Sequence, residues 1–121
     1  MTEPFLVEPL AHRFLGLMIA ITLPGQPRRL FTLQEAAILS RALTSVAQGA
    51  SPERQIYMSP VASDWDFEAR VVPSGLVVVW EECAEAPLSF EEALRLAKEL
   101  EDATESPPRA TTTKEDDRWP M

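Results

Sequence analysis

Three carboxylates alternate along the segment SDWDFEARV: Asp64, Asp66 and Glu68. Alternate residues of a β-strand share one face and lie about 7 Å apart, so this pattern places the three acids in a row. Such a row of oxygen ligands is the kind of site that Mg²⁺ and Ca²⁺ prefer. The segment has neither the turn glycine nor the terminal glutamate of a calcium-binding loop, and the sequence supplies no further converging ligands. A solvent-facing strand explains the row more simply, and we predict no metal ligands and no cofactor.

The residues available for nucleophilic or acid–base chemistry are few, because the chain has one histidine, His12, and one cysteine, Cys83. A general base needs an orienting partner and a nucleophile, and the sequence identifies neither for His12. The negative charges of Glu81 and Glu82 disfavour a reactive thiolate at Cys83. Arg28 and Arg29 follow a Pro-Gly-Gln-Pro segment. A single glycine does not make a glycine-rich phosphate-binding loop, and we expect both arginines to lie on a solvated loop. We predict no catalytic residues and a protein that is not an enzyme.

Charge is distributed unevenly along the 121 residues, whose formal net charge is −8. Residues 1–60 carry net +1 and residues 61–121 carry net −9. This balance argues against direct binding of nucleic acid or of an anionic membrane, because both need a local cationic excess. An acidic surface suits a basic protein partner. The carboxylates that we predict for this surface are Glu81, Glu82, Glu85, Glu91, Glu92 and Glu99.

The first half of the chain predicts a strand followed by a helix. Phe14–Leu23 is short and apolar, as expected for a buried strand. Thr32 and Glu35 have the spacing of a capping box, which begins a helix, and Gly49 is placed to end it after about Gln48. Apolar and small residues cover most of the circumference of this helix. Either the helix packs on two sides within the monomer, or part of it forms a homodimer contact.

The second half predicts three strands and a second helix. Arg54–Ser59 and Leu76–Trp80 read as strands, and Ser63–Val71 alternates apolar and polar residues as a half-buried strand does. A second capping box at Ser89–Glu92 begins a helix that runs to about Ala103. The residues that we expect on the buried face of this helix are Ala93, Leu96, Ala97 and Leu100.

The two strand–loop–helix segments align without a gap at an offset of 57 residues. The matched positions include Thr32 with Ser89, Glu35 with Glu92, and Leu39 with Leu96. Either the similarity is common to all such segments, or the unit is duplicated. Both explanations predict a two-layer α+β fold, with an antiparallel sheet of about four strands and two helices on one face.

The last part of the chain has a composition unlike that of the rest. We expect residues 1–104 to form a single domain and residues 105–121 to be a disordered tail, rich in proline, threonine and charge. Trp119 and Met121 are the apolar exceptions, and we name both as candidate partner contacts. Residues 116–121, DDRWPM, resemble the tip of bacterial single-stranded-DNA-binding proteins, although Arg118 interrupts the acidity. That resemblance, over six residues, implies a tip that docks into a pocket of a partner enzyme.

The longest uncharged apolar run, Phe14–Pro24, is too short to span a bilayer and lacks the pattern of a cleaved signal peptide. We therefore expect a cytoplasmic protein. The leading hypothesis is a small non-enzymatic protein–protein interaction module, with a homodimer through the first helix as one form. The alternative is a protein similar to secretion chaperones in length and acidity, which binds an effector client; those chaperones usually begin with a helix, unlike this chain. A divalent-metal-dependent module built on the carboxylate row is the second alternative.

Overall fold

The chain folds into strands that alternate with two helices. A computed structural model describes residues 5–62, 66–80 and 85–105. The strands are β1 (Leu6–His12), β2 (Gly16–Thr22), β3 (Arg29–Thr32), β4 (Gln55–Met58), β5 (Phe67–Val72), β6 (Gly75–Val79) and β7 (Ala86–Ser89). The helices are α1 (Leu33–Ala47) and α2 (Phe90–Glu105). Neither helix is long and apolar enough to cross a membrane, among the residues described.

The strands form two antiparallel sheets, in the orders β1-β2-β3 and β4-β5-β6-β7. The predicted α+β class with two helices is confirmed. The described residues hold three strands beyond the four that the sequence predicts: β1, which has seven residues, and β3 and β7, which have four residues each. A segment of four residues is too short to show a period of two, and each pairs with the strand before it through long-range hydrogen bonds.

The same arrangement of strands and helix occurs twice. We call β1–β3 with α1 the N-terminal unit, and β5–β7 with α2 the C-terminal unit. In the N-terminal unit Ile19 lies opposite Phe31, and in the C-terminal unit Leu76 lies opposite Leu88. Each residue of the second pair comes 57 positions after its counterpart in the first, so the register between the last two strands of each unit repeats, whereas the register of the first two strands does not. This match favours a duplicated unit over a chance similarity of segments.

Both capping boxes form as the sequence predicts. At the start of α1 the Glu35 amide donates to the Thr32 hydroxyl at 3.0 Å, and the Thr32 amide donates to the Glu35 carboxylate at 2.9 Å. At the start of α2, Ser89 and Glu92 make the same pair of bonds at 3.0 and 2.9 Å. These bonds satisfy two amides that have no partner within each helix. Gly49, with φ +72°, follows the end of α1 in the conformation that glycine adopts most easily.

A single apolar core joins the two units. The four α2 residues predicted for its buried face are all buried. On α1 the buried residues are Ala36, Leu39, Ser40, Leu43 and Val46, and the helix contacts α2 as well as β2 and β3. The large apolar circumference of α1 is therefore used mostly inside the monomer. Ile38 is the large apolar residue of α1 that stays exposed, at 43%.

Candidate functional site

The carboxylates of the predicted row contact neighbouring side chains. The Tyr57 hydroxyl donates a hydrogen bond to the Asp66 carboxylate. The Glu68 carboxylate accepts from Gln55 Nε2 at 2.7 Å and from Arg70 Nε at 3.1 Å. Phe67 and Ala69, between these polar residues, are buried, which confirms the predicted alternation for this part of the strand; residue 64 lies outside the described residues. Within 5–62, 66–80 and 85–105, no three side chains converge in a way that would hold a metal ion.

The hydrogen bond between Tyr57 and Asp66 changes the acidity of both groups. Donation from the Tyr57 hydroxyl, and then from Ser59, lowers the pKa of the Asp66 carboxyl below its usual value. The same bond to Asp66 is the main reason that the pKa of the Tyr57 phenol is raised. Both side chains are exposed. The pair therefore joins the strand β4 to the start of β5 on the outer surface of the sheet.

His12 holds the turn between β1 and β2. Its Nδ1 atom accepts hydrogen bonds from the backbone amides of Phe14 and Leu15, both at 3.1 Å. Gly16 closes the turn with φ +82°, a conformation that residues with a Cβ rarely adopt. The imidazole thus positions the backbone of this turn, which is a structural task that the sequence analysis did not assign to it.

The same turn exposes an apolar tip. We call residues 13–17 the hairpin tip, in which Phe14 is 84% exposed and Leu15 is 44% exposed. The guanidinium carbon of Arg13 lies 6.0 Å from the centre of the Phe14 ring. The prediction that a buried strand begins at Phe14 is wrong, because β2 begins at Gly16 and the two residues before Gly16 lie in the turn. Gly16 is the sequence feature that indicates this turn, because glycine within an apolar segment often marks a break in a strand.

Arg29 is buried rather than solvated, which corrects the prediction that both arginines lie on an exposed loop. It begins β3 and is 2% exposed, whereas Arg28 is exposed. Its guanidinium donates to Gln26 Oε1 at 3.0 Å and to the Val79 carbonyl at 3.2 Å. It also lies over the Trp80 ring, 4.3 Å from the ring centre. These contacts connect the N-terminal unit to the end of β6 in the C-terminal unit.

An open groove lies between α1 and β4, with a volume of about 480 Å³. We call it the α1–β4 groove. Its apolar lining residues are Ile38, Ala42, Val46, Ile56 and Tyr57. Arg41 and Glu53 are the charged residues that line it. The face of α1 that does not pack into the core forms one wall of this groove. The Tyr57 side chain, which is 59% exposed, also lines it.

The acidic residues on and before α2 divide into two kinds. Glu85 and Glu91 are exposed, as a partner-binding role requires, and Glu99 is half-buried. Glu92 is occupied by the capping box, and Asp102 pairs with Lys98 at 3.3 Å. The other predicted contacts, at positions 81, 82, 119 and 121, lie outside the described residues.

The described surface therefore presents two apolar features, the hairpin tip and the α1–β4 groove, together with exposed carboxylates on and before α2. The two apolar features have different shapes, since one projects and the other is concave. Comparison with models of known protein families, with characterised proteins and with solved structures found no match for this chain.

Proposed function

We propose that this chain is a small non-enzymatic protein-binding module that inserts its hairpin tip into an apolar pocket of a partner protein. The observation that carries the proposal is the 84% exposure of Phe14 on a turn held by two hydrogen bonds. Aromatic residues that fill a partner's pocket contribute much of the binding energy in many interfaces. A turn whose backbone is already fixed loses less conformational entropy on binding.

The order of the tip comes from several independent contacts. His12 lies opposite Gly16 at the end of the β1–β2 ladder, so the two strands hold both ends of the turn. The His12 imidazole then fixes the amides inside the turn. Arg13 beside the Phe14 ring adds a cation next to the apolar anchor. A partner pocket with an apolar floor and an acidic rim matches this combination.

The acidic surface supports the same proposal in a different way. Arg95 of α2 lies over the Phe5 ring, 5.4 Å from its centre, and Phe5 comes just before β1. The hairpin tip is at the other end of β1, about 20 Å away for a strand of this length. The exposed carboxylates on and before α2 are thus distant from the hairpin tip. They favour encounter with a partner that also carries basic groups, because they attract such a partner over a longer range.

The proposal is tested with three forms of the full chain used for co-purification and mass spectrometry: the native protein, Phe14→Asp and Val61→Asp. Val61 is the matched control, since it is 65% exposed but lies outside the hairpin tip. We expect one partner to be recovered with the native chain and with Val61→Asp, and to be lost with Phe14→Asp. Recovery of the same proteins with all three forms, or of none with the native chain, would overturn the proposal.

Size-exclusion chromatography with light scattering separates the homodimer from a different partner. A native dimer that Phe14→Asp converts to a monomer would identify a second copy as the partner. The role of the turn is tested with His12→Ala and His12→Asn. Asparagine also accepts from amides two residues ahead, so we expect it to preserve binding, while His12→Ala weakens it by roughly 0.5–1.5 kcal/mol through lost order.

A further inference from the structure

The backbone of β4 forms an open edge of the second sheet. The order β4-β5-β6-β7 leaves β4 with one neighbour, β5. The Val71 amide donates to the Arg54 carbonyl at 2.9 Å, which continues the β4–β5 register. Because bonding alternates along an antiparallel strand, Ile56 also bonds towards β5, while the N–H and C=O groups of Gln55 and Tyr57 face the other way. Within residues 5–62, 66–80 and 85–105, no strand pairs with β4 on that side.

The other edges of the two described sheets are protected, whereas β4 is not. β1 contains Pro9 and β7 contains Pro87, and a proline at an edge lacks the N–H group that a further strand would need. β3 forms the remaining edge and has no exposed residue. β4 contains no proline, and both Gln55 and Tyr57 are exposed. Of the edges in the described part of the chain, β4 is therefore the one best able to accept another strand.

The size of the contact indicates what this strand belongs to. Pairing along β4 covers only four residues, whereas a stable interface typically buries about 1,200–2,000 Å² in total. An isolated peptide added to this edge would thus be held weakly. The α1–β4 groove beside the edge exposes Ile38 of α1. A second copy of the chain brings this apolar helix face as well as the strand.

We propose that β4 pairs antiparallel with β4 of a second copy, about a twofold axis at Ile56. In this register Gln55 lies opposite Tyr57 of the other copy, and Tyr57 lies opposite Gln55. Each pair exchanges two hydrogen bonds, so every outward backbone group of these two residues gains a partner. Arg54 then lies opposite Met58, so no like charges face each other across the strands. The two four-stranded sheets become one continuous sheet of eight strands.

The same symmetry brings the two α1 helices together. Ile56 lies on the core side of its sheet and lines the groove with Ile38 of α1. An axis perpendicular to the sheet keeps this side of both copies on the same side of the joined sheet. The exposed Ile38 side chains are then the apolar surface that the helices contribute. Such a contact uses one patch on both copies and closes at two subunits. It uses no residue of the hairpin tip, so the two surfaces can be tested separately.

The test is analytical ultracentrifugation of the full chain over a range of concentrations, where we expect a native dimer. Gln55→Pro removes the outward N–H group and should give a monomer. Gln55→Ala is the matched control, because it loses the same side chain but keeps that N–H group, and it should remain dimeric. Proline is tolerated at an edge position whose N–H group faces away from the neighbouring strand, and circular dichroism checks that both variants fold.

The contribution of the helix face is tested with a charge at Ile38. Ile38→Glu should raise the dissociation constant of the dimer roughly tenfold or more, because it buries an unpaired charge. Leu6→Glu is the control at an exposed apolar residue of β1, and it should leave the dissociation constant unchanged. Equal dissociation constants for both variants would show that α1 is not part of the contact, contrary to the proposal.

Hydrogen exchange on the native chain locates the contact without any substitution. The Gln55 and Tyr57 amides should exchange quickly in dilute protein and become protected as the dimer forms, while the Ile56 amide, bonded to β5, is protected throughout. A chain that is monomeric at all concentrations would overturn the proposal. A dimer that survives Gln55→Pro but is dissociated by Phe14→Asp would also overturn it, and would assign the contact to the hairpin tip. Protection of the two amides only on addition of a different protein would overturn it as well, since a strand of that protein would then be the occupant.

Discussion

Ser40 Oγ donates a 2.7 Å hydrogen bond to the carbonyl oxygen of Ala97, and the two residues occupy equivalent positions of the two units, 57 residues apart. The helices α1 and α2 pack against each other, and this contact joins matching positions of the two units. The two positions differ chemically, because Ser40 carries a hydroxyl and Ala97 a methyl group.

The Ser40→Ala variant removes the hydrogen bond at this contact. We expect it to lower the free energy of unfolding by about 0.5–1.5 kcal/mol relative to Ser45→Ala, as measured by urea denaturation. Ser45 is the control because it lies on the same helix and gains the same helix propensity from alanine, and no side-chain hydrogen bond of Ser45 occurs among the described residues. Equal stability of the two variants would mean that the bond contributes nothing.

The two capping boxes should differ in their contribution to stability. Removing a capping side chain costs about 0.5–2 kcal/mol, which we expect for both Thr32→Ala and Ser89→Ala. Glu35 has an additional task, since its second carboxylate oxygen accepts from the Val61 amide at 2.9 Å. We therefore expect Glu35→Ala to destabilise the protein more than Glu92→Ala in thermal or urea denaturation. The reverse order would show that the loop at Val61 depends on other contacts.

Arg29 should resist replacement by lysine. Its planar guanidinium bonds to Gln26 and Val79 and lies over the rings of Trp80 and Phe67, and an ammonium group cannot reproduce this geometry. We expect Arg29→Lys to cost about 1.5–3 kcal/mol of unfolding free energy. Arg28→Lys is the control at an exposed site, where we expect a change within about 0.5 kcal/mol. A similar small change for both would contradict the structural role given to Arg29.

The pair of Tyr57 and Asp66 predicts a pH effect at each end of the scale. Tyr57 is the only tyrosine of the chain, so ultraviolet difference absorbance follows its ionisation without ambiguity. Asp66→Asn should move the pKa of Tyr57 down towards its ordinary value, because the carboxylate that raises it is gone. Conversely, Tyr57→Phe should raise the pKa of the Asp66 carboxyl, observed by carbon chemical shift. Unchanged values in both variants would show that the hydrogen bond is not formed in solution.

The sign of the stability effect follows from these directions. The pKa of Asp66 is lowered in the folded protein, so its contribution is present above the unfolded pKa and is lost as the pH falls through the folded value. The pKa of Tyr57 is raised, so its contribution is present below the unfolded pKa and is lost as the pH rises through the folded value. Both residues are exposed, so the changes in stability will be small.

Local motifs were the part of the structure that could be predicted from the sequence. The capping boxes at Thr32 and Ser89 depend on residues three apart, whose bonds form within one turn of helix. The buried face of α2 likewise follows from its periodicity. The alternation that buries Phe67 and Ala69 is a property of any extended strand. In each case the interacting atoms are close in the sequence, so spacing alone determines the geometry.

The candidate sites were harder to predict, since burial depends on residues that are distant in the sequence. Arginine is usually found at the surface, and Arg29 is buried only because β3 packs near the end of β6. Phenylalanine is usually found in a core, but Phe14 lies in the turn after β1 and is exposed to solvent. The α1–β4 groove exists because Ile38 and Tyr57, nineteen residues apart, are brought together without being covered.

The sequence by itself determined the α+β class, the starts of both helices and the repeat of 57 positions. Only the tertiary structure decided that the repeated units share one core, with Ser40 of α1 against Ala97 of α2. The physical reason is that hydrogen-bond spacing and hydrophobic period act over a few residues. Which apolar surface is buried, and which is left to bind, is decided by the packing of whole units against each other.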